Sequence, residues 1–270
     1  MKIRLPSPLF FTLTLILSLS LPMGVVGDEG PPPPPSWGVT GDYFDVKVFL
    51  EGPYRTADGE MVTTLRDEEL IPAEQPYNQE PWNYSGTEAV ETKADVPEGT
   101  VDWVLVELRD AESAEDALEV EPTGVFAAFL QYNGQLIGPM GDMILFDVEE
   151  PVHGYYIVIR HRNHMDVMSS NSLVYDPIEE RYSYVFSDDL NKAYRGDAGY
   201  HRIDPNDPIF GMVAADGMGD GNVFAPDFDF WNANAGPINV YHSADYNLDG
   251  NIFSTDFDVW YRNAGKLNPL

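Results

Sequence analysis

The chain has 270 residues, with 15 basic side chains against 45 acidic ones, a formal charge of −30, and no cysteine. The length suffices for one or two domains with a real core, and the shortage of Lys and Arg excludes nucleic acid and anionic lipid as partners. The absence of thiols excludes disulfides, cysteine catalysis, thiolate zinc sites and an amino-terminal cysteine lipid anchor.

Lys2 and Arg4, an apolar run over residues 9–21 and then Val25-Val26-Gly27 form the pattern of an export signal, residues 1–27, cut after Gly27. The apolar run is shorter than the ~20 residues a membrane-spanning helix needs. Cleavage removes Lys2 and Arg4 and no acid, leaving 13 basic against 45 acidic groups and a formal charge of −32. The expectation is a secreted, extracellular or cell-surface protein with no membrane insertion after cleavage. Pro31–Pro35 is an unbroken proline run that favours a stiff, extended conformation, so residues 28–40 read as a linker.

From 41 to 205 the pattern is that of strands. Residues 42–50 mix aromatic and β-branched side chains with polar ones at near period two, and 101–108 alternate over most of their length. The stretches 125–132 and 135–137 flank Asn133-Gly134, a strong signal for a tight hairpin. Residues 143–148 and 155–160 are further strands, and 182–186 is expected to be the last. Proline, glycine and asparagine clusters separate them, and no long stretch has helical periodicity. Short strands at this spacing predict an antiparallel β-sandwich over residues 41–205. A short helix near 188–194 and a loop through Pro205 and Pro208 are expected at its end.

Residues 210–270 carry an internal duplication with a period of 29 residues. The segment from Asp216 through Asp220, Gly221, Asn222 and Asp227 recurs as Asp245, Asp249, Gly250, Asn251 and Asp256. Trp231 matches Trp260, and Asn234-Ala235-Gly236 matches Asn263-Ala264-Gly265. Two units of this size bury a shared face that neither buries alone. In the second copy Asp245, Asn247 and Asp249 occupy loop positions one, three and five. Gly250 at position six permits a turn that a β-carbon obstructs. The Asn251 carbonyl serves at position seven, and Asp256 at twelve closes the shell from the start of a helix. A hard cation takes six to eight oxygens at roughly 2.3–2.6 Å, so this order predicts calcium.

Ile252 at position eight is expected to pair with Val223. The first copy keeps Asp216, Asp220, the Asn222 carbonyl and Asp227, but its position three is Met218, whose thioether is a poor ligand for a hard ion. A second, weaker site is expected there, or one completed by water or a side chain from elsewhere. Phe257, Trp260 and Tyr261 share one face of the second helix and Phe228 and Trp231 one face of the first. They read as core, with Gly236 and Gly265 as helix stops.

Position twelve is aspartate in both copies, and neither unit has an obvious entering helix. The segment from Val213 to Gly265 thereby resembles a type I dockerin repeat pair. The resemblance implies a small α-helical domain with two calcium loop–helix units that docks on a cohesin-like or cell-surface protein. It also implies that positions ten and eleven, Ser254 and Thr255 in the second copy, form much of the contact. Ala225-Pro226 replace them in the first copy, which departs from a symmetric binding mode and leaves a structural use of the repeat open. The segments 81–88, 101–110 and 155–164 resemble secreted or surface proteins of Bacteroidetes-type bacteria labelled haemagglutinin-like or adhesin-like. That resemblance implies export and surface or matrix association.

His161 and His164 fall on opposite faces if the strand from Tyr155 runs on through them, and a catalytic or zinc role is discounted. His153, His201 and His242 are isolated. Arg195-Gly196-Asp197 is read as a chance tripeptide. No nucleophile elbow, phosphate-cradling glycine loop or zinc-protease helix is found. The leading expectation is a non-catalytic modular protein, mainly β: a sandwich with an adhesion or binding surface, and a calcium-stabilised tail for attachment or assembly. Two alternatives stay open. One is a polysaccharide-degrading component, a glycoside hydrolase using paired carboxylates. The other is a carbohydrate-binding module presenting Trp37, Trp82 or Trp103, although Trp103 alternates with Val101 and Leu105 and so points inward.

Overall fold

A computed structural model describes residues 41–270 apart from Asp197, Ala198 and Pro269. The export signal, the proline-rich linker, Trp37 and the aspartate of the Arg-Gly-Asp tripeptide lie outside the described residues. In chain order the elements are β1 (Asp42–Lys47), β2 (Tyr54–Arg55), β3 (Glu60–Met61), a helical turn α1 (Thr64–Asp67), β4 (Thr100–Asp110), β5 (Gly124–Gln131), β6 (Leu136–Ile137) and β7 (Ile144–Phe146). There follow β8 (Tyr155–His161), β9 (His164–Met168), β10 (Val174–Asp176), β11 (Arg181–Val185), β12 (Tyr200–Arg202), β13 (Phe210–Met212) and β14 (Asn222–Val223), then α2 (Ala225–Asn234), α3 (Ser254–Asn263) and β15 (Lys266–Leu267). Mainly β describes it.

β4 is the spine. Its first nine residues are all buried, which suits a Val- and Leu-rich strand covered on both faces. It pairs antiparallel with β5 and β8, and the five-stranded sheet runs β6-β5-β4-β8-β9. The second main sheet runs β10-β11-β1-β7. β1 turns Phe44 and Val46 inward at the alternation expected of a half-buried strand. Phe44 meets Phe146 of its own sheet and Tyr155 of the other at ring distances of 5.0 and 5.9 Å, so the two sheets share one core. Trp103 lies wholly within it, against Phe129, as its alternation predicts.

Three expectations need correction. The sandwich is not purely antiparallel, because β1 and β11 pair in parallel; they come from opposite ends of the strand-rich region, and no turn chemistry constrains their direction. Residues 182–186 do not end the strands: β12 and β13 pair across the loop through Pro205 and Pro208, and three-residue strands are too short to show a period. The strand from Tyr155 does not run on through His164. Arg162-Asn163 turn the chain, and His161 and His164 become register partners at the mouth of the β8–β9 hairpin, with their rings 4.8 Å apart.

The described residues belong to one compact unit. The segment after β13 packs on the β-module through backbone as well as side chains: Met165 N–H donates to Val213 O at 2.8 Å, and Ala215 N–H to Asn163 O at 2.9 Å. Leu248, in the second repeat, is buried within the main core cluster.

Candidate cation-binding loops and their seat

The two repeat loops are the same object built twice. In the second, Asp245 Oδ1 accepts from Asp249 N–H (3.2 Å) and Oδ2 from Gly250 N–H (2.8 Å). In the first, Asp216 Oδ1 accepts from Asp220 N–H (3.0 Å) and Oδ2 from Gly221 N–H (2.9 Å). Asp256 Oδ2 accepts from Phe253 N–H (2.9 Å) and Oδ1 from Tyr246 and Asn247 N–H (2.7 and 3.2 Å). Asp227 repeats the pattern with Phe224 N–H (2.8 Å) and Met218 N–H (3.2 Å). Asp249 Oδ1 accepts from Asn251 N–H, and Asp220 Oδ1 from Asn222 N–H. Gly250 and Gly221 stand at φ +80° and +79°, the left-handed region where glycine carries no side-chain penalty. Among the oxygen-bearing loop positions, the one that differs is position three. Asn247 Oδ1 accepts from Asp249 N–H at 2.9 Å, whereas the Met218 side chain has no oxygen and is 48% exposed.

Burial makes these loops unusual. Asp216, Asp227, Asp245 and Asp256 are buried, Asp245 and Asp256 completely. No Lys, Arg or His forms an ion pair with any of them among the described residues. Burial pushes Asp245 up to about 7, opposed by Arg162 and reinforced by Asp256. It pushes Asp256 up to about 6, and Asp216 up to about 8 with help from Asp166 and Asp227. Buried carboxylates that lack a counter-charge are costly, and a divalent ion would supply that charge. The donors (carboxylates, the Asn247 amide oxygen and the carbonyls of Asn251 and Asn222) are the hard oxygens calcium takes. Among the described residues no three His, Asp or Glu side chains converge as a preformed metal-holding group. The fit therefore rests on donor chemistry and uncompensated buried charge.

The repeats close one another. Trp231 Nε1–H of α2 donates to Phe253 O of the second loop (3.1 Å), and Trp260 Nε1–H of α3 donates to Phe224 O of the first (2.8 Å). Val223 and Ile252, at position eight of the two loops, are both buried, and each backbone carbonyl is held by the segment beyond a helix. Gly265 N–H, beyond α3, donates to Val223 O (2.8 Å), and Gly236 N–H, beyond α2, donates to Ile252 O (2.9 Å). Each loop is thus fastened by the segment leaving the other unit's helix. The helix aromatics pack on each other, Phe228 on Trp260 at 5.1 Å and Trp231 on Phe257 at 5.5 Å, but they are half-buried rather than core, and Tyr261 is 72% exposed. Ser254 and Thr255 are exposed on the first turn of α3.

What seats the loops is a polar network absent from the sequence reading. Asn163 Nδ2 donates to Asp245 O (2.6 Å) and Ser243 O (3.2 Å). Arg162 Nη1 donates to His242 O and its Nε to Asp102 Oδ2 (2.8 Å). Asp102, wholly buried in β4, also accepts from Tyr241 OH (2.7 Å). His164 Nε2 accepts from Gly52 N–H at 3.2 Å, so the neutral ring carries its proton on Nδ1. His161 Nε2 stands 3.1 Å from Asp102 Oδ2 and carries its proton there. Burial lowers both histidines, which are structural parts of this seat. The one hint in the sequence was the density of Arg, His and Asn in 160–164.

Among the described residues no helix is long and apolar enough to cross a membrane. No family model matches the chain, and neither does any curated protein. Among solved structures, a chain of a type II cohesin–X-dockerin complex from Acetivibrio cellulolyticus, a mutant at an N-terminal interface, is similar over 85% of this chain and 96% of that one, with 14% identity and a TM-score of 0.37. A likeness at that level carries no argument about fold or partner, and the function has to be read from the loops themselves.

Proposed function

We propose that this is an exported, non-catalytic binding protein whose two dockerin-like loops take calcium, one ion held by Asp245, Asn247, Asp249, the Asn251 carbonyl and Asp256. A second, weaker ion is held by Asp216, Asp220, the Asn222 carbonyl and Asp227. The support is the repetition of two loops that bury their position-one and position-twelve carboxylates on matching backbone N–H donors with no ion-pair partner among the described residues. Calcium here is structural: it offsets repulsion among the clustered acids, so that binding and folding of the tail are linked. The β-module supplies the binding surface, and the tail supplies attachment or assembly, with the exposed Ser254 and Thr255 on the outward end of α3 as its contact with a cohesin-like or cell-surface protein. The test is calorimetric titration of the whole mature chain, stripped of metal, with calcium. The expected result is heat from a tighter and a weaker site, with D245N removing the tighter one; no heat at all overturns the reading.

A further inference from the structure

A cleft of about 490 Å³ opens where β2, the end of β12 and α3 meet. Arg55, His201, Arg202 and Arg262 line it, and Glu51 is the one carboxylate at its base. In a chain with 15 basic side chains against 45 acidic ones, three arginines in one cleft are a marked local reversal of sign.

Glu51 is already engaged. Its Oε1 accepts from Arg262 Nε–H (2.9 Å), and its Oε2 accepts from Asn263 Nδ2–H (2.5 Å) and Ala214 N–H (3.1 Å), with His201 Nε2 at 3.2 Å. Arg55 and Arg202 form no ion pair among the described residues. Main-chain carbonyls hold them instead. Arg55 Nη1 donates to Gly52 O and Tyr54 O (2.9 and 3.0 Å), and Arg202 Nε donates to Asp204 O and Asp207 O (2.7 and 3.1 Å). The acids nearby face elsewhere: Asp204 accepts from Asn206 N–H, Asp207 N–H and Tyr54 OH, and Asp249 is turned into its own loop. Carbonyl tethers fix the guanidinium planes without neutralising them. Arg202 Nη2 also donates to Pro205 O (3.3 Å), so the N–H groups left over, on Nη1 of Arg202 and on Nε and Nη2 of Arg55, are the ones placed to hydrogen-bond a carboxylate or sulfate.

We propose that this cleft binds a single compact oxyanion group, carboxylate or sulfate, of a small ligand. Charge decides against a polyanion. The cleft lining sets three arginines against one carboxylate, Glu51, and with fields reaching ~8 Å at 0.15 M salt a longer polyanion extends over a surface of the opposite preference. Asn247 and Thr255 of the second loop–helix unit also line the cleft, and α3 contributes Arg262, so the anion site is tested with that loop held in calcium.

The experiment follows the arginine Nε–H signals of the full mature chain by NMR, in calcium. Sodium chloride is exchanged at constant ionic strength for sodium sulfate in one arm and for sodium galacturonate in the other. Saturable displacement of the Arg55, Arg202 and Arg262 signals is expected, with Arg181, which has Asp45 as a partner, unmoved. Saturation with sulfate alone or galacturonate alone assigns the group as tetrahedral or planar; saturation with both supports the shared oxyanion site. R55Q is expected to weaken binding at least tenfold, and the exposed R202E to abolish saturation while its calcium-dependent melting stays that of the wild type. A linear drift with both anions, or saturation unchanged in R202E, overturns the proposal.

Discussion

Replacing Asp102 by leucine tests whether the tail's seat rests on a buried charge network. The carboxylate accepts from Trp103 N–H (2.8 Å), Tyr241 OH (2.7 Å) and Arg162 Nε–H (2.8 Å), with His161 Nε2 at 3.1 Å. D102L leaves the Arg162 side chain, 3% exposed, without its counter-charge. Removing one partner of a buried pair costs ~3–5 kcal/mol. For a unit of this size each kcal/mol moves the melting midpoint by ~2–4 °C, so a fall of roughly 6–20 °C is expected. Thermal and urea unfolding, followed by near-ultraviolet circular dichroism in saturating calcium, reads the effect. The double variant D102L/R162M removes both charges and is expected to recover the part of the loss due to the unpaired Arg162 charge, while the buried donors of Trp103, Tyr241 and His161 stay unsatisfied. A D102L protein within 1 kcal/mol of wild type, or a double variant no better than the single, would refute the reasoning. The pH dependence follows from the same group. Burial pushes Asp102 up, but Arg162, His161 and Tyr241 outweigh burial and hold it down at about 2 against an ordinary 3.8. Its contribution, about 2 kcal/mol, is therefore present above pH ~4 and lost as the pH falls toward 2; in D102L this acid limb is expected to flatten.

Calcium at a hundred times its dissociation constant stabilises the chain by ~2.7 kcal/mol per site, and melting with and without chelator is expected to differ accordingly; coincident curves contradict the metal reading. An alanine β-carbon at Gly52 lies 2.0 Å from Tyr246 O, so G52A is expected to force the second loop off the β-module at a cost at or above the usual ~1–3 kcal/mol of overpacking. Equilibrium unfolding and the calcium midpoint read it, and an unperturbed variant means the loop is not seated as described. W231F and W260F each remove one indole bond between the repeats, worth ~0.5–1.5 kcal/mol. Both are expected to weaken calcium binding at the loop that loses its tether, read by calorimetry, and wild-type affinities in both count against mutual closure.

Much of the candidate site was legible because its donors are local. Asp245, Asn247, Asp249, Gly250 and Asp256 fall within one short loop whose hydrogen bonds are nearly all local, and α3 begins at Ser254, where the aspartate at position twelve accepts from the Phe253 N–H. The long strands were legible for the same reason: β4, β5 and β8 are apolar enough, and long enough, to show their period. The short strands β12 and β13, the parallel pairing of β1 with β11 and the hairpin that brings His161 to His164 were not. Their pairing is set by partners distant in sequence or by turns with no glycine signature.

The sequence by itself determined an acidic, cysteine-free chain with strand-rich alternation and a duplicated loop–helix unit, since composition, period and ligand spacing are properties of neighbouring residues. Only the tertiary structure decided how the duplication is closed, each loop fastened by the other unit's tryptophan and exit segment, and where it sits. Glu51 meets Arg262 across 211 positions, and Asp102 meets Tyr241 across 139. No local pattern encodes such contacts. They form because a buried carboxylate requires hydrogen-bond donors or a counter-charge beside it, and the fold alone chooses which.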